Sequence, residues 1–155
     1  MRAQTEDILQ QHIVGLAHIG ITCDDIVNEV QQFCQLYGID QDTVQWLELE
    51  SEKYFAFICF AGQTFEFINS AVGPFKELVT KSLRAGGGLN HLAWYVKSID
   101  KALCCLKKNN VTAGYVTQSG PIKLQNKKIV YLDPSSCGGH LIELIELQEV
   151  GDATE

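Results

Sequence analysis

The stretches GLAHIG (residues 15–20) and GLNHLA (residues 88–93) decide the fold, because they are two copies of one pattern in a 155-residue chain. Each reads as an apolar strand that a histidine interrupts, and the two histidines, His18 and His91, are 73 residues apart. Histidine is not a usual member of a buried apolar run. Either copy alone fits a hydrogen-bonded core histidine, whereas the same exception in both copies favours a binding role for the two imidazoles.

The repeat continues into the segment after each strand, where apolar residues recur at helical spacing. In the first half, Gly38 suits the end of the helix, and in the second half Ser98 suits its N-cap. The apolar positions are Ile26, Val30, Phe33 and Tyr37 in the first half and Ile99, Leu103 and Leu106 in the second.

Each half then offers three extended segments rich in β-branched and aromatic residues. They are TVQWLELE, YFAFICFA and QTFEFIN in the first half, and VTAGYVT, KKIVYLD and HLIELIEL in the second. The chain is therefore predicted to be α+β, with two tandem βαβββ modules over residues 13–69 and 88–148. Residues 70–87 are predicted to be a linker with a short helix, and residues 1–155 to form a single domain.

The last strand of each half carries a glutamate four residues after a glycine, Glu66 after Gly62 and Glu143 after Gly139. A charged carboxylate is costly on a dry strand face, and a metal ion would remove that cost. Solvent exposure explains any one of these histidines and glutamates, but it explains poorly why all four occupy repeat-equivalent positions. His18, Glu66, His91 and Glu143 are therefore the predicted ligands of a divalent ion. This donor set suits Co, Ni, Fe, Mn or Zn without choosing among them.

Composition excludes some other functions. The net charge of −7 argues against nucleic-acid binding, and no apolar run approaches the length of a membrane span. The N-terminus is polar and lacks a signal-peptide pattern, and the six cysteines show no regular framework, so a cytoplasmic protein with reduced thiols is expected. His12 and His140 are expected at the surface.

Two longer stretches, AGGGLNHLAWYVKSID (residues 85–100) and LDPSSCGGHLIELIE (residues 132–146), resemble the vicinal oxygen chelate superfamily, which includes glyoxalases, bleomycin-resistance proteins and extradiol dioxygenases. They are most similar to its methylmalonyl-CoA epimerase branch. The resemblance covers roughly residues 13–148. It implies a half-open mixed β-barrel around a metal site, with the same four residues as ligands.

The resemblance also implies an activity. Such an epimerase abstracts the α-proton of a methylmalonyl-CoA-like thioester through a metal-stabilised enolate and returns it on the other face. The family base corresponds most closely to Glu50, with Glu48 and Glu52 as neighbours, and Glu143 can serve on the second face. The implied partner is a small acyl-CoA substrate, and a homodimer is compatible with the family.

Several alternatives stay open. One is a glyoxalase I-type isomerase, which needs a glutathione site, and another is a different vicinal-oxygen-chelate enzyme of biosynthesis. A third is a non-catalytic small-molecule binding protein, although such relatives generally lose the ligands. Lysine-rich stretches at residues 107–108 and 123–128 suit the phosphates of CoA, but neither is assigned.

Overall fold

A computed structural model of the chain describes residues 6–49, 52–69 and 75–149. The chain divides into two compact units. The central unit runs from Ala17 to Ala93, and the terminal unit combines the residues before Ala17 with those after Ala93.

The element order follows the predicted repeat. In the first half it is β1 (Ile13–Thr22), α1 (Ile26–Tyr37), β2 (Gln45–Leu49), β3 (Glu52–Phe60) and β4 (Gln63–Ile68). After α2 (Phe75–Arg84), the second half has β5 (Gly88–Val96), α3 (Ile99–Lys107), β6 (Ile122–Lys123), β7 (Lys127–Tyr131) and β8 (Ile142–Leu147). The α+β class and the βαβββ order of each half are confirmed, whereas the single-domain assignment and the module boundaries stay predictions.

The central unit is built on a mixed sheet. β2 and β3 pair antiparallel, as do β3 and β4, and β4 then pairs in parallel with β1. The crossover from β1 to β4 passes through α1, whose buried residues Ile26, Val30 and Cys34 pack on Ile58 and Phe67 of the sheet. One face of this sheet is therefore covered by a helix, which leaves the other face for a site.

The ends of α1 and α3 follow capping rules. The Asp25 side chain accepts a hydrogen bond from the Asn28 N–H at the start of α1, and Gly38 ends the helix with a φ of 68°. Ser98 caps α3 by accepting from the Lys101 N–H, as predicted.

The terminal unit has its own core. β8 pairs antiparallel with β7, and β7 with β6. Ile99, Ala102 and Leu106 of α3 pack there with Val130 and Leu144.

The prediction of a strand over VTAGYVT was wrong. Tyr115–Thr117 is a 3-10 helix, and the short strand β6 lies further along the chain. The cause is local hydrogen bonding that competes with strand pairing. The Thr117 hydroxyl contacts the main-chain oxygens of Gly114 and Tyr131, at 2.8 and 3.0 Å, and the Tyr131 N–H, at 2.8 Å.

Candidate metal centre

The face of the central sheet opposite α1 carries a buried glutamate. β4 alternates, so Phe67 enters the core beneath α1 while Glu66 points to the other side. In the sheet register, Glu66 lies between Gly20 of β1 and Phe57 of β3. Glu66 is only 6% exposed, so its carboxylate lies where an uncompensated charge would be costly.

Two imidazoles meet this carboxylate. His18 precedes Gly20 by two residues and so shares the face of β1 that bears the site. The Nε2 atoms of His18 and His91 lie 3.0 Å apart. Oε1 of Glu66 is 3.5 Å from Nε2 of His18 and 3.9 Å from Nε2 of His91. All three side chains are buried and belong to the central unit; we call them the buried cluster.

The donor atoms of the buried cluster fit a divalent ion. For a triangle with these three sides, the point equidistant from the corners lies about 2.0 Å from each donor. Bonds from zinc to imidazole nitrogen and carboxylate oxygen measure about 2.0–2.2 Å. Two nitrogens and one oxygen also form the mixed donor set that first-row transition metals accept. The site therefore has the size and the chemistry of a metal centre.

The remaining predicted site residues are Glu143 and the glutamates of the acidic stretch around Glu50. Glu143 is buried in β8 of the terminal unit, opposite Tyr131 in the register with β7. Glu50 lies outside the described residues. Glu48 is exposed on β2, next to a register shift in the pairing with β3. Glu52 begins β3.

Two residues at the buried cluster were missed by sequence reasoning. Oδ1 of Asn90 lies 2.7 Å from Nδ1 of His91, and the His91 ring occupies the space that a side chain on residue 20 would need. The repeat held a signal for both, because each is a mismatch between the two copies. When the two copies are aligned, Asn90 corresponds to Ala17, and Gly20 corresponds to Ala93.

A second group of three donors lies in the terminal unit: Asp7, His12 and Cys105, whose ligand atoms are within 4.8 Å of one another. We call it the terminal cluster. Asp7 contacts Nε2 of His12 at 2.7 Å and Nζ of Lys108 at 3.2 Å. The side chain of His12 is 16% exposed, so the residue is half-buried rather than fully exposed. His140 is exposed, as expected.

Two lysines of the lysine-rich stretches lie close to carboxylates. Lys108 pairs with Asp7, and Nζ of Lys128 lies 3.6 Å from Glu146 and 3.8 Å from Asp100.

Comparison with known proteins decides the family. The model of the glyoxalase/bleomycin resistance protein/dioxygenase superfamily matches residues 10–131. The chain belongs to this superfamily. No curated protein sequence matches the chain significantly.

Solved structures with the same fold include methylmalonyl-CoA epimerases. The Mycobacterium tuberculosis epimerase is 19% identical with a TM-score of 0.64, covering 95% of this chain and 93% of that one. A Streptomyces coelicolor epimerase variant in complex with 2-nitronate-propionyl-CoA is 19% identical with a TM-score of 0.63, covering 87% and 95%. A hypothetical protein from Bacillus halodurans is 24% identical with a TM-score of 0.64, covering 86% and 94%. At these identities the likeness shows a shared fold.

Among the described residues, no helix is long and apolar enough to cross a membrane.

Proposed function

We propose that this protein is a metal-dependent epimerase acting on a methylmalonyl-CoA-like acyl thioester. The observation that carries the proposal is the convergence of His18, Glu66 and His91 on a point at metal-bonding distance from all three. Superfamily membership and the fold shared with methylmalonyl-CoA epimerases support it.

In this proposal His18, Glu66 and His91 hold the ion, and Glu143 is the fourth ligand. When bound, the ion supplies a positive charge that lowers the energy of negative charge developing on the thioester oxygen. The burial of the three side chains excludes water and strengthens their electrostatic interactions.

The protein's own acids and bases move the proton. Glu50 is the proposed base that takes the α-proton from one face of the substrate. Glu143 is the proposed group that exchanges a proton on the opposite face. A positioned carboxylate of this kind contributes about 10²–10⁴-fold to proton transfer.

The test is deuterium incorporation at the α-carbon of methylmalonyl-CoA in D₂O, with protein reconstituted with Co²⁺. We expect rapid exchange with the wild type and a loss of about 10²–10⁴-fold in Glu50→Ala. Glu48→Ala and Glu52→Ala are the matched controls from the same acidic stretch and should retain exchange.

Two results would change the proposal. Exchange that survives in Glu50→Ala but fails in Glu48→Ala or Glu52→Ala would move the base to that residue. A cobalt-loaded wild type without any exchange would contradict the substrate, and the hemithioacetal of glutathione and methylglyoxal would then test the glyoxalase I-type alternative.

A further inference from the structure

Two neighbours contact the imidazole of His91: a glycine that has no side chain, and an asparagine that makes a hydrogen bond. We propose that Gly20 and Asn90 are positioning residues for His91: Gly20 leaves the space for its ring, and Asn90 fixes which ring nitrogen faces the metal. This inference rests on the proposed metal centre and concerns how that centre is built.

Gly20 acts through the absence of a side chain. A Cβ built on Gly20 would overlap Cε1 and Nδ1 of His91 and lie 2.6 Å from its Nε2. Real Cβ atoms essentially never approach other atoms so closely, so the ring would have to leave. Gly20 is also the register partner of Glu66 on β4. The empty position on β1 is therefore what lets the His91 ring reach the carboxylate.

Asn90 acts through a hydrogen bond. The Oδ1 atom of an asparagine amide can only accept, so Nδ1 of His91 donates across the 2.7 Å contact. A neutral imidazole carries one N–H, which leaves a lone pair on Nε2. Nε2 is the atom that faces His18 and Glu66. Outer partners of this kind set the tautomer and orientation of metal-binding histidines.

The contact with Asn90 also determines which of the two histidines donates in the hydrogen bond between them. Since Nε2 of His91 carries a lone pair, the 3.0 Å contact between the two Nε2 atoms is, without a metal, a hydrogen bond in which His18 donates, and a bound ion would replace that proton. A directed chain of hydrogen bonds thus runs from His18 through His91 to Asn90. Without Asn90, His91 can also adopt the other tautomer, with its proton on Nε2, and the ion would then have to displace a proton from Nε2 of His91 as well.

The first experiment compares Asn90→Ala with Asn90→Asp, which keeps an acceptor oxygen. Titration with Co²⁺ should show about 10- to 100-fold weaker binding for Asn90→Ala, and binding near the wild-type value for Asn90→Asp. In the metal-free protein, ¹⁵N shifts of His91 in mildly alkaline buffer should show the proton on Nδ1 in the wild type and a mixture of tautomers in Asn90→Ala.

The second experiment compares two glycine substitutions in β1. Gly20→Ala should abolish Co²⁺ binding, because the ring and the new methyl group cannot share the space. Gly15→Ala is the matched control, since nothing lies within 4 Å of a Cβ at that position, and it should bind Co²⁺ like the wild type.

The outcomes separate this inference from the proposed function. A wild type that binds Co²⁺, with Asn90→Ala unchanged in both tautomer and affinity, overturns the role of Asn90 and leaves the metal centre standing. A Gly20→Ala protein that binds Co²⁺ normally overturns the role of Gly20. A folded wild type that binds no Co²⁺ overturns the metal centre and the inference together. If Gly20→Ala does not fold, the Asn90 series alone decides.

Discussion

The buried cluster and the terminal cluster each bring together three side chains of types that bind metals, yet the clusters differ in the contacts that their donor atoms make. In the terminal cluster both carboxylate oxygens of Asp7 are engaged, one by His12 and one by Lys108. The Cys105 thiol donates to the main-chain oxygen of Asp7, and burial raises its pKa, so it stays protonated. A lysine supplies the cation in this cluster.

In the buried cluster the donor atoms face one another instead. Nε2 of His18, Nε2 of His91 and Oε1 of Glu66 surround one point, and none of the three side chains is more than slightly exposed. The difference teaches that proximity of histidine, cysteine and carboxylate side chains does not define a metal centre. The contacts that the donor atoms already make, such as the ion pair of Asp7 with Lys108, also matter.

The largest expected effect comes from removing the carboxylate of each cluster. Glu66→Gln keeps the shape of the side chain but loses the charge of a direct ligand, so we expect its dissociation constant for Co²⁺ to rise by more than the roughly 10- to 100-fold that loss of an outer partner costs. Asp7→Asn, the matched change in the terminal cluster, should bind Co²⁺ like the wild type. Isothermal titration calorimetry measures both. Equal losses of Co²⁺ affinity in the two variants would contradict the expected difference between the clusters.

Metal binding should also stabilise the folded protein. A ligand present at 100 times its dissociation constant adds about 2.7 kcal/mol to the free energy of unfolding, which raises the midpoint of thermal unfolding by about 5–10 °C for a chain of this size. Differential scanning fluorimetry with Co²⁺ should show this shift in the wild type and in Asp7→Asn. EDTA should reverse it. A shift that persists in Glu66→Gln would place the ion elsewhere.

The contribution of Asp7 in the terminal cluster to the stability of the fold should depend on pH. The hydrogen bond from His12, followed by that from Lys108, holds the pKa of Asp7 below its ordinary value of 3.8. A carboxyl whose folded-state pKa is lowered stabilises the fold above its unfolded-state pKa, and this contribution is lost as the pH falls through the folded-state pKa. Asp7→Asn should therefore be slightly less stable than the wild type at neutral pH.

The stability difference between these two proteins should vanish in acid. Urea unfolding midpoints at neutral pH and below the folded-state pKa measure it, and Asp42→Asn serves as an exposed control. A difference that stays constant with pH would mean that the charge of Asp7 contributes nothing.

The smallest expected effect is on the reactivity of the Cys105 thiol in the terminal cluster. Cys104 is exposed and Cys105 is buried, although they are neighbours on α3. Iodoacetamide at neutral pH should modify Cys104 well before Cys105, as followed by peptide mass spectrometry, because the thiolate is the reactive form. Added Zn²⁺ should leave the rate at Cys105 unchanged. Protection by Zn²⁺ would show that the cluster binds metal after all.

Much of the fold could be predicted because the repeat and the hydrophobic periods agreed. Helical spacing from Ile26 to Tyr37 and the caps at Ser98 and Gly38 predicted features that the structure contains. Tyr115–Thr117 could not be predicted in the same way. Its β-branched residues indicate a strand, while the hydroxyl of Thr117 satisfies nearby main-chain groups and holds a tight turn.

The three side chains of the buried cluster could be predicted from the sequence, but the neighbours that contact His91 could not. His18, Glu66 and His91 stand out because polar residues on apolar strands are exceptions that a period-two pattern exposes. The contacts of Gly20 and Asn90 with His91 depend on which strands lie beside each other, and strand order is not readable from a single strand. The face of Glu48 was equally hidden, since the register shift after Leu47 interrupts the alternation on which such an inference depends.

The glycine at position 20 also has a meaning for the history of the chain. A gene built from two identical copies of the second half would carry alanine here, as Ala93 does, and that methyl group would collide with the imidazole. An ancestor made of two such copies could not have seated His91 as the present protein does, whereas two copies of the first half would carry glycine at both positions. Glycine at this one position is therefore a condition for assembling the buried cluster, and a designer who restores the symmetry with alanine would undo it.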